Sequence, residues 1–155
     1  MKKASDPETA LAVEPILPDV NFLIGLGWTN HPFHAAAKRY MSQHRGLWMT
    51  CAITQLGFIR LSANPGVTKV VVTPGQAADF FLRLTQDPQH MYVNDTMSLV
   101  RSSVPQLLRK TIGMHQVTDA YLLTLAASAG ARFVTFDGRL EKLGEGVCPV
   151  EILKP

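Results

Sequence analysis

Short apolar runs alternate with longer stretches of helical spacing along this chain, and that alternation sets the expected fold. The run "PILP" ends at Asp19 and leads into "VNFLIGLG", an apolar helix expected to stop at the glycines Gly25 and Gly27. "HPFHAAAKRYMSQHRG" follows as a helix: Pro32 suits its first turn, Ala35 to Ala37 favour it and Gly46 stops it. The strand "LWMT" feeds the helix of "TCAITQLGFIRLSANP", which Asn64-Pro65 closes, and "PGQAADFFLRLTQDP" predicts another helix with proline at each end. "HMYVN" predicts a third short strand, and "TMSLVRSSVPQLLRKTIG" a helix bent or divided near Pro105. In "VTDAYLLTLAASAGARFVTFDGRL" a helix opened by Thr118-Asp119 and stopped at Gly130 precedes the strand "RFVTF", and "CPVEIL" supplies the last strand. Strands alternating with helices predict a mostly parallel sheet covered on both faces, a three-layer α/β/α sandwich.

Composition agrees. At 155 residues, 46% apolar and 17% charged, the chain can bury one core without disulfides or a structural metal and is too apolar for disorder. Residues 1–13, small and polar, read as a flexible leader, and 14–155 as a single domain. No run of about 18 apolar residues is present, so no membrane-spanning helix is expected. The leader lacks a continuous apolar stretch, which argues against export and for a cytoplasmic protein. Cys51 and Cys148 stand apart with no C-x-x-C spacing, as reduced buried thiols would. Met41, Met49, Met91 and Met97 read as core filler, and Trp28 and Trp48 as core or interface residues.

Charge changes the picture only in its distribution. The net charge is +3, yet from Val20 to Ala78 there is no Asp or Glu, while Lys38, Arg39, Arg45, Arg60 and Lys69 lie there with His31, His34 and His44. A face built from this stretch would suit a polyanion, although scattered solubilising charge gives the same composition.

The candidate chemistry lies in three aspartates. In an open parallel sheet, ligands bind beyond the carboxyl ends of the strands. Asp19 follows the first strand and Asp137 the strand "RFVTF", while Asp119 opens the helix that runs back before that strand. All three are thus expected on one rim. Singly, each is an ordinary turn or cap residue; together, like charges repel, and the cluster calls for a cation or a retained proton. Carboxylate oxygens without His or Cys suit Mg²⁺, or Mn²⁺, rather than zinc. Such an ion beside a basic surface is a sensible arrangement for hydrolysing nucleic acid.

"LPDVNFLI", "TQLGFIRLSANP", "HQVTDAYLLTLAASAGARFVTFD" and "VEIL", in order from Ile16 to Leu153, resemble a PIN-domain ribonuclease of the VapC toxin type. The resemblance implies a Mg²⁺-dependent endoribonuclease that hydrolyses RNA, often as a homodimer, and is silenced by a cognate antitoxin protein. On this likeness Asp19, Asp119 and Asp137 are the catalytic and metal-holding acids, and Asn21 supports the first. The second acidic position of the pattern, a Glu, falls on Gln55, and no acid within twenty residues on either side can replace it. One metal ion is therefore expected ahead of two.

Other residues carry two readings each. Asp95, after "HMYVN", either supplies the missing charge at the rim or caps a helix beginning near Thr96. His115 either approaches the acids or serves at a helix entrance. Thr135 and Thr118 are candidate hydrogen-bond donors to the carboxylates. Arg60 either holds a substrate phosphate or is surface charge. Two alternatives to the nuclease remain. One is a PIN-fold module, catalytically weak or inactive, that only binds RNA or a partner protein. The other is a receiver-like phosphoacceptor, which would want paired acids after the first strand and a late lysine that "DGR" does not supply.

Overall fold

Five three- or four-residue strands form one sheet in a computed structural model that describes residues 13–101 and 103–155. Of the expected leader, residues 1–12 lie outside the described residues. The strands are β1 (Ile16–Pro18), β2 (Trp48–Thr50), β3 (His90–Tyr92), β4 (Arg132–Thr135) and β5 (Val150–Ile152). The helices are α1 (Val20–Gly27), α2 (His34–Gln43), α3 (Ala52–Ser62), α4 (Pro65–Thr68), α5 (Pro74–Leu84), α6 (Val104–Leu108), α7 (Val117–Ser128) and α8 (Arg139–Gly144). Strand order is β3-β2-β1-β4-β5, and every pairing is parallel.

Strand side chains alternate between two cores, as the pleat requires. Leu17, Met49 and Phe133 face one cluster with Val104, Leu107, Leu122, Leu123, Leu140 and Leu143, so α6, α7 and α8 cover that side. Ile16, Trp48 and Val134 face the other with Phe22, Leu23, Ala37, Phe58 and Phe81, contributed by α1, α2, α3 and α5. This is the three-layer arrangement expected from the alternation. In α7 every residue from Ala120 to Ala126 is buried, which is why its sequence shows no polar stripe. At the crossing of α1 and α3, Gly57 lets the backbones approach: a Cβ there would stand 2.6 Å from a Val20 methyl. Cys51 and Cys148 are both free thiols, and no helix among the described residues is long and apolar enough to cross a membrane.

Three expectations need correction. The helix expected over "TMSLVRSSVPQLLRKTIG" shrinks to the five residues of α6, with Pro105 in its first turn. There the missing N–H costs nothing; further inside a helix the ring would clash with the carbonyl of Arg101. No helix begins near Thr96, so Asp95 caps none. Met91 is 38% exposed rather than core filler, because β3 is an edge strand whose outer face α6 and α7 do not reach.

Candidate active site

Strand order reverses direction at β1: β2 and β3 extend to one side, β4 and β5 to the other. The crevice beyond the carboxyl ends of β1 and β4 is therefore the topological switch point, where ligands bind in open α/β sheets. Asp19 follows β1, and its backbone N–H donates to the Val134 carbonyl as the last rung between the two strands. It is the N-cap of α1: Oδ1 accepts from Phe22 N at 2.7 Å, while Oδ2 accepts from the Thr135 hydroxyl at 2.5 Å. Thr135 ends β4, and its oxygen in turn accepts from the Asp137 backbone N–H at 3.0 Å. One buried hydroxyl thus ties the first acid to the loop that carries the third. Asp119 enters from the first turn of α7.

The charges are felt across this crevice. Asp19 is 5% exposed, and burial pushes its carboxyl up to about 6. The hydrogen bonds from Thr135 and Phe22 pull it down, and the charges of Asp119 and Asp137 raise it further. Asp119 is also pushed up to about 6, by burial and by Asp137, with Arg139 opposing. Coulomb repulsion is reciprocal, so these carboxyls titrate as a coupled set. Asp137 moves the other way, held below the usual carboxylate range by the Arg139 guanidinium, whose Nε and Nη2 reach its two oxygens at 2.6–3.1 Å.

Gln55 stands in the first turns of α3, half-buried, with Nε2 donating to Thr50 Oγ1 at 3.1 Å. Thr50 ends β2, and its hydroxyl lies 2.8 Å from His90 Nε2. Burial lowers the His90 pKa, with the Asp87 charge opposing, and its ring packs 4.5 Å from that of Trp48. Asn21 is exposed in the first turn of α1. Asp95 is half-buried after β3, and burial alone raises its carboxyl, with no charge coupling to the three acids. His115 is exposed in the 3-10 turn before α7, and Thr118 is exposed in the turn after it. Arg60 lies in the last turn of α3. The helix runs away from the carboxyl edge of the sheet, which leaves Arg60 about 7–8 Å further along its axis than Gln55.

Sequence reasoning passed over Arg139, Thr50 and His90. A cation two residues after a strand-end acid was a readable signal for Arg139; the Thr50–His90 contact had none, since it depends on the β2–β3 register.

The donor set fits a hard divalent cation. The acids offer oxygen only, and the upward shifts of Asp19 and Asp119, caused first by burial and then by neighbouring acids, mark negative charge that a cation would compensate. Among the described residues no three His, Cys, Asp or Glu side chains form a ready metal cage, and Asp137 is meanwhile engaged by Arg139.

A search of known families places a PIN domain over residues 16–146. The chain belongs to the PIN-domain family. Its relatives include Ribonuclease VapC38 of Mycobacterium tuberculosis (strain ATCC 25618 / H37Rv), 38% identical over 140 residues, covering 88% of this chain and 96% of the relative. Ribonuclease VapC39 of strain CDC 1551 / Oshkosh is 40% identical over 126 residues, covering 80% and 89%. Ribonuclease VapC44 of the same strain is 38% identical over 126 residues, covering 78% and 84%. The likeness to these VapC ribonucleases therefore spans most of the chain in each case.

Proposed function

We propose that this protein is a divalent-metal-dependent endoribonuclease and the toxin of a toxin–antitoxin pair. The observation that carries the reading is the meeting of Asp19, Asp119 and Asp137 at the switch point of a PIN-domain sheet. Similarity to relatives named ribonucleases supports RNA as substrate. Asp19, Asp119 and Asp137 would hold the ion, Mg²⁺ by preference and Mn²⁺ as a substitute, with the Gln55 carbonyl a neutral neighbour. When bound, such an ion orients the phosphodiester, neutralises its developing charge and lowers the pKa of water.

The chain's own residues do the rest. The α1 N-terminus and the Thr135 hydroxyl hold Asp19 in one rotamer, so its carboxylate meets the substrate site preorganised. Asp119 and Asp19, raised to about 6 first by burial and then by neighbouring acids, carry negative charge at neutral pH that a cation would compensate. Arg139 balances the charge of Asp137, and its guanidinium would be available beside the site were Asp137 to hold a cation instead. Water attack on the phosphodiester leaves a 5′-phosphate and a 3′-hydroxyl. An antitoxin protein covering the rim and a homodimer complete the proposal.

The test is Mg²⁺-dependent cleavage of single-stranded RNA by purified protein, with Asp19→Asn as control and mapping of the product ends. Cleavage that Asn abolishes, with 5′-phosphate ends, is the expected result. A cyclic 2′,3′-phosphate would overturn the mechanism, and RNA left intact by the wild type in Mg²⁺ and Mn²⁺ would leave only a binding module.

A further inference from the structure

A second polar depression abuts the acidic crevice through Arg139. It encloses about 270 Å³ and is lined by Lys110, Ile112, Gln116, Arg139, Lys142 and Leu143. No acid lines it. Lys110 follows α6, Gln116 sits in the 3-10 turn, and Arg139 and Lys142 belong to α8, so three chain segments converge there. Lys110 and Lys142 form no ion pair among the described residues. Gln116 Oε1 is already used, accepting from Ile112 N at 2.8 Å, which leaves its NH₂ to donate. Apart from two apolar side chains, Ile112 and Leu143, every side chain lining this depression carries hydrogen-bond donors, three of them cationic.

We infer that this depression is an RNA-backbone subsite, binding a phosphate next to the one being cut, with Lys110, Lys142 and the Gln116 amide as its donors. The inference rests on the nuclease reading above. Phosphate oxygens are acceptors only, and a donor-rich depression with two apolar side chains in its lining matches a phosphate with its ribose. Arg139 joins the two sites: one edge of its guanidinium holds Asp137 and the same side chain lines the pocket. On the far side of Lys142, Glu141 and Glu145 line a neighbouring depression that would repel the strand. The acid-free stretch is a poorer track. Of its five Lys and Arg residues, Arg45 bonds the Ser42 carbonyl and Lys69 the Gly66 carbonyl, each at 2.8 Å, and Arg60 lies at the far end of α3.

The experiment measures binding of a fluorescein-labelled single-stranded RNA by anisotropy, in EDTA to prevent cleavage, over a series of KCl concentrations. Wild type, Lys110→Gln/Lys142→Gln and Lys38→Gln/Arg39→Gln are compared, with matched thermal melts and Mg²⁺-dependent cleavage by wild type run alongside. Losing two phosphate contacts should weaken binding roughly tenfold and flatten the slope of log K against log salt by about 1.4, at about 0.7 per contact on a single strand. Charge reversal, Lys110→Glu/Lys142→Glu, should weaken it further, and Lys38→Gln/Arg39→Gln should stay near wild type. Unchanged affinity and slope in Lys110→Gln/Lys142→Gln, beside a wild type that cleaves, overturn the subsite and leave the nuclease reading standing. An equal loss in Lys38→Gln/Arg39→Gln overturns it as well. Retained RNA affinity with lost binding of a poly-glutamate peptide would make the pocket a protein-docking face and overturn it too. A wild type that neither binds nor cuts RNA removes the nuclease reading and the subsite with it.

Discussion

Replacing Asp19 by Asn should stabilise the metal-free protein by an amount that grows as pH rises from 3.8 through about 6. A carboxyl moved from 3.8 up to about 6 binds its proton more tightly folded than unfolded. Its contribution is therefore fully present below pH 3.8 and lost as pH rises through 6. At about 1.4 kcal/mol per pKa unit, that movement makes about 3 kcal/mol lost by neutral pH. Asn keeps the cap, because its carbonyl can still accept from Phe22 N, and it cannot ionise. His31 and His90, both lowered by burial, tilt stability in the opposite sense, but equally in the two proteins. Asp137, held low by Arg139, is ionised in both states over this range. Urea unfolding in EDTA at several pH values from 4.5 to 7.5 isolates the effect as the difference between variants. Near pH 4.5 the two should unfold alike to within about 1 kcal/mol; at pH 7.5 Asn should lead by about 2–3 kcal/mol. A difference that does not change with pH would show that burial and neighbouring acids do not strain Asp19, and the electrostatic case for a cation would fall with it.

Thr135→Val removes the donor to Asp19 and the acceptor for Asp137 N, so it should cost about 1–3 kcal/mol in urea unfolding and weaken Mg²⁺ about 10–100-fold by calorimetry, with Thr135→Ser recovering most of both. Gln55→Glu should tighten Mg²⁺ or add a second ion to the titration, and equal stoichiometry and affinity in both proteins would refute the one-ion expectation. Gly57→Ala should destabilise the protein by about 1–3 kcal/mol in thermal or urea unfolding while leaving RNA end chemistry unchanged, because the new methyl meets the stiff β-branched Val20 rather than a yielding side chain.

The parts of the fold legible in sequence were those decided by local pattern. "PILP", "LWMT" and "RFVTF" are short apolar runs bounded by Asp, Cys or Asp, and each became a strand whose end positions a polar residue at the rim. The block from Thr118 to Asp137 was clearest because α7 and β4 are both almost wholly apolar and Gly130, at φ +63, stops the helix in a conformation that favours glycine. Where pattern failed, a non-local or steric term decided. Residues 96–113 have helical spacing, yet Pro105 permits a helix only C-terminal to itself, so tertiary packing of Val104 and Leu107 kept five residues helical. The Arg139 clamp left a trace in spacing, two residues from Asp137, but the contact between Thr50 and His90 joins residues forty apart through parallel strand register. That contact is not written in spacing along the chain.

That register bears on Gln55. The Thr50 hydroxyl stands between two partners: it accepts from the Gln55 amide and lies 2.8 Å from His90 Nε2. The Gln55 NH₂ takes the Thr50 contact, which leaves the carbonyl, the only oxygen of that side chain, for other partners. A Glu at this place could not donate, so it would hold the same contact only by accepting the Thr50 proton. Within the proposed nuclease, the negative charge that draws the ion is carried by Asp19, Asp119 and Asp137, while residue 55 contributes one oriented neutral oxygen. Such an arrangement would hold a first cation through three carboxylates and would offer a second cation little beyond a dipole.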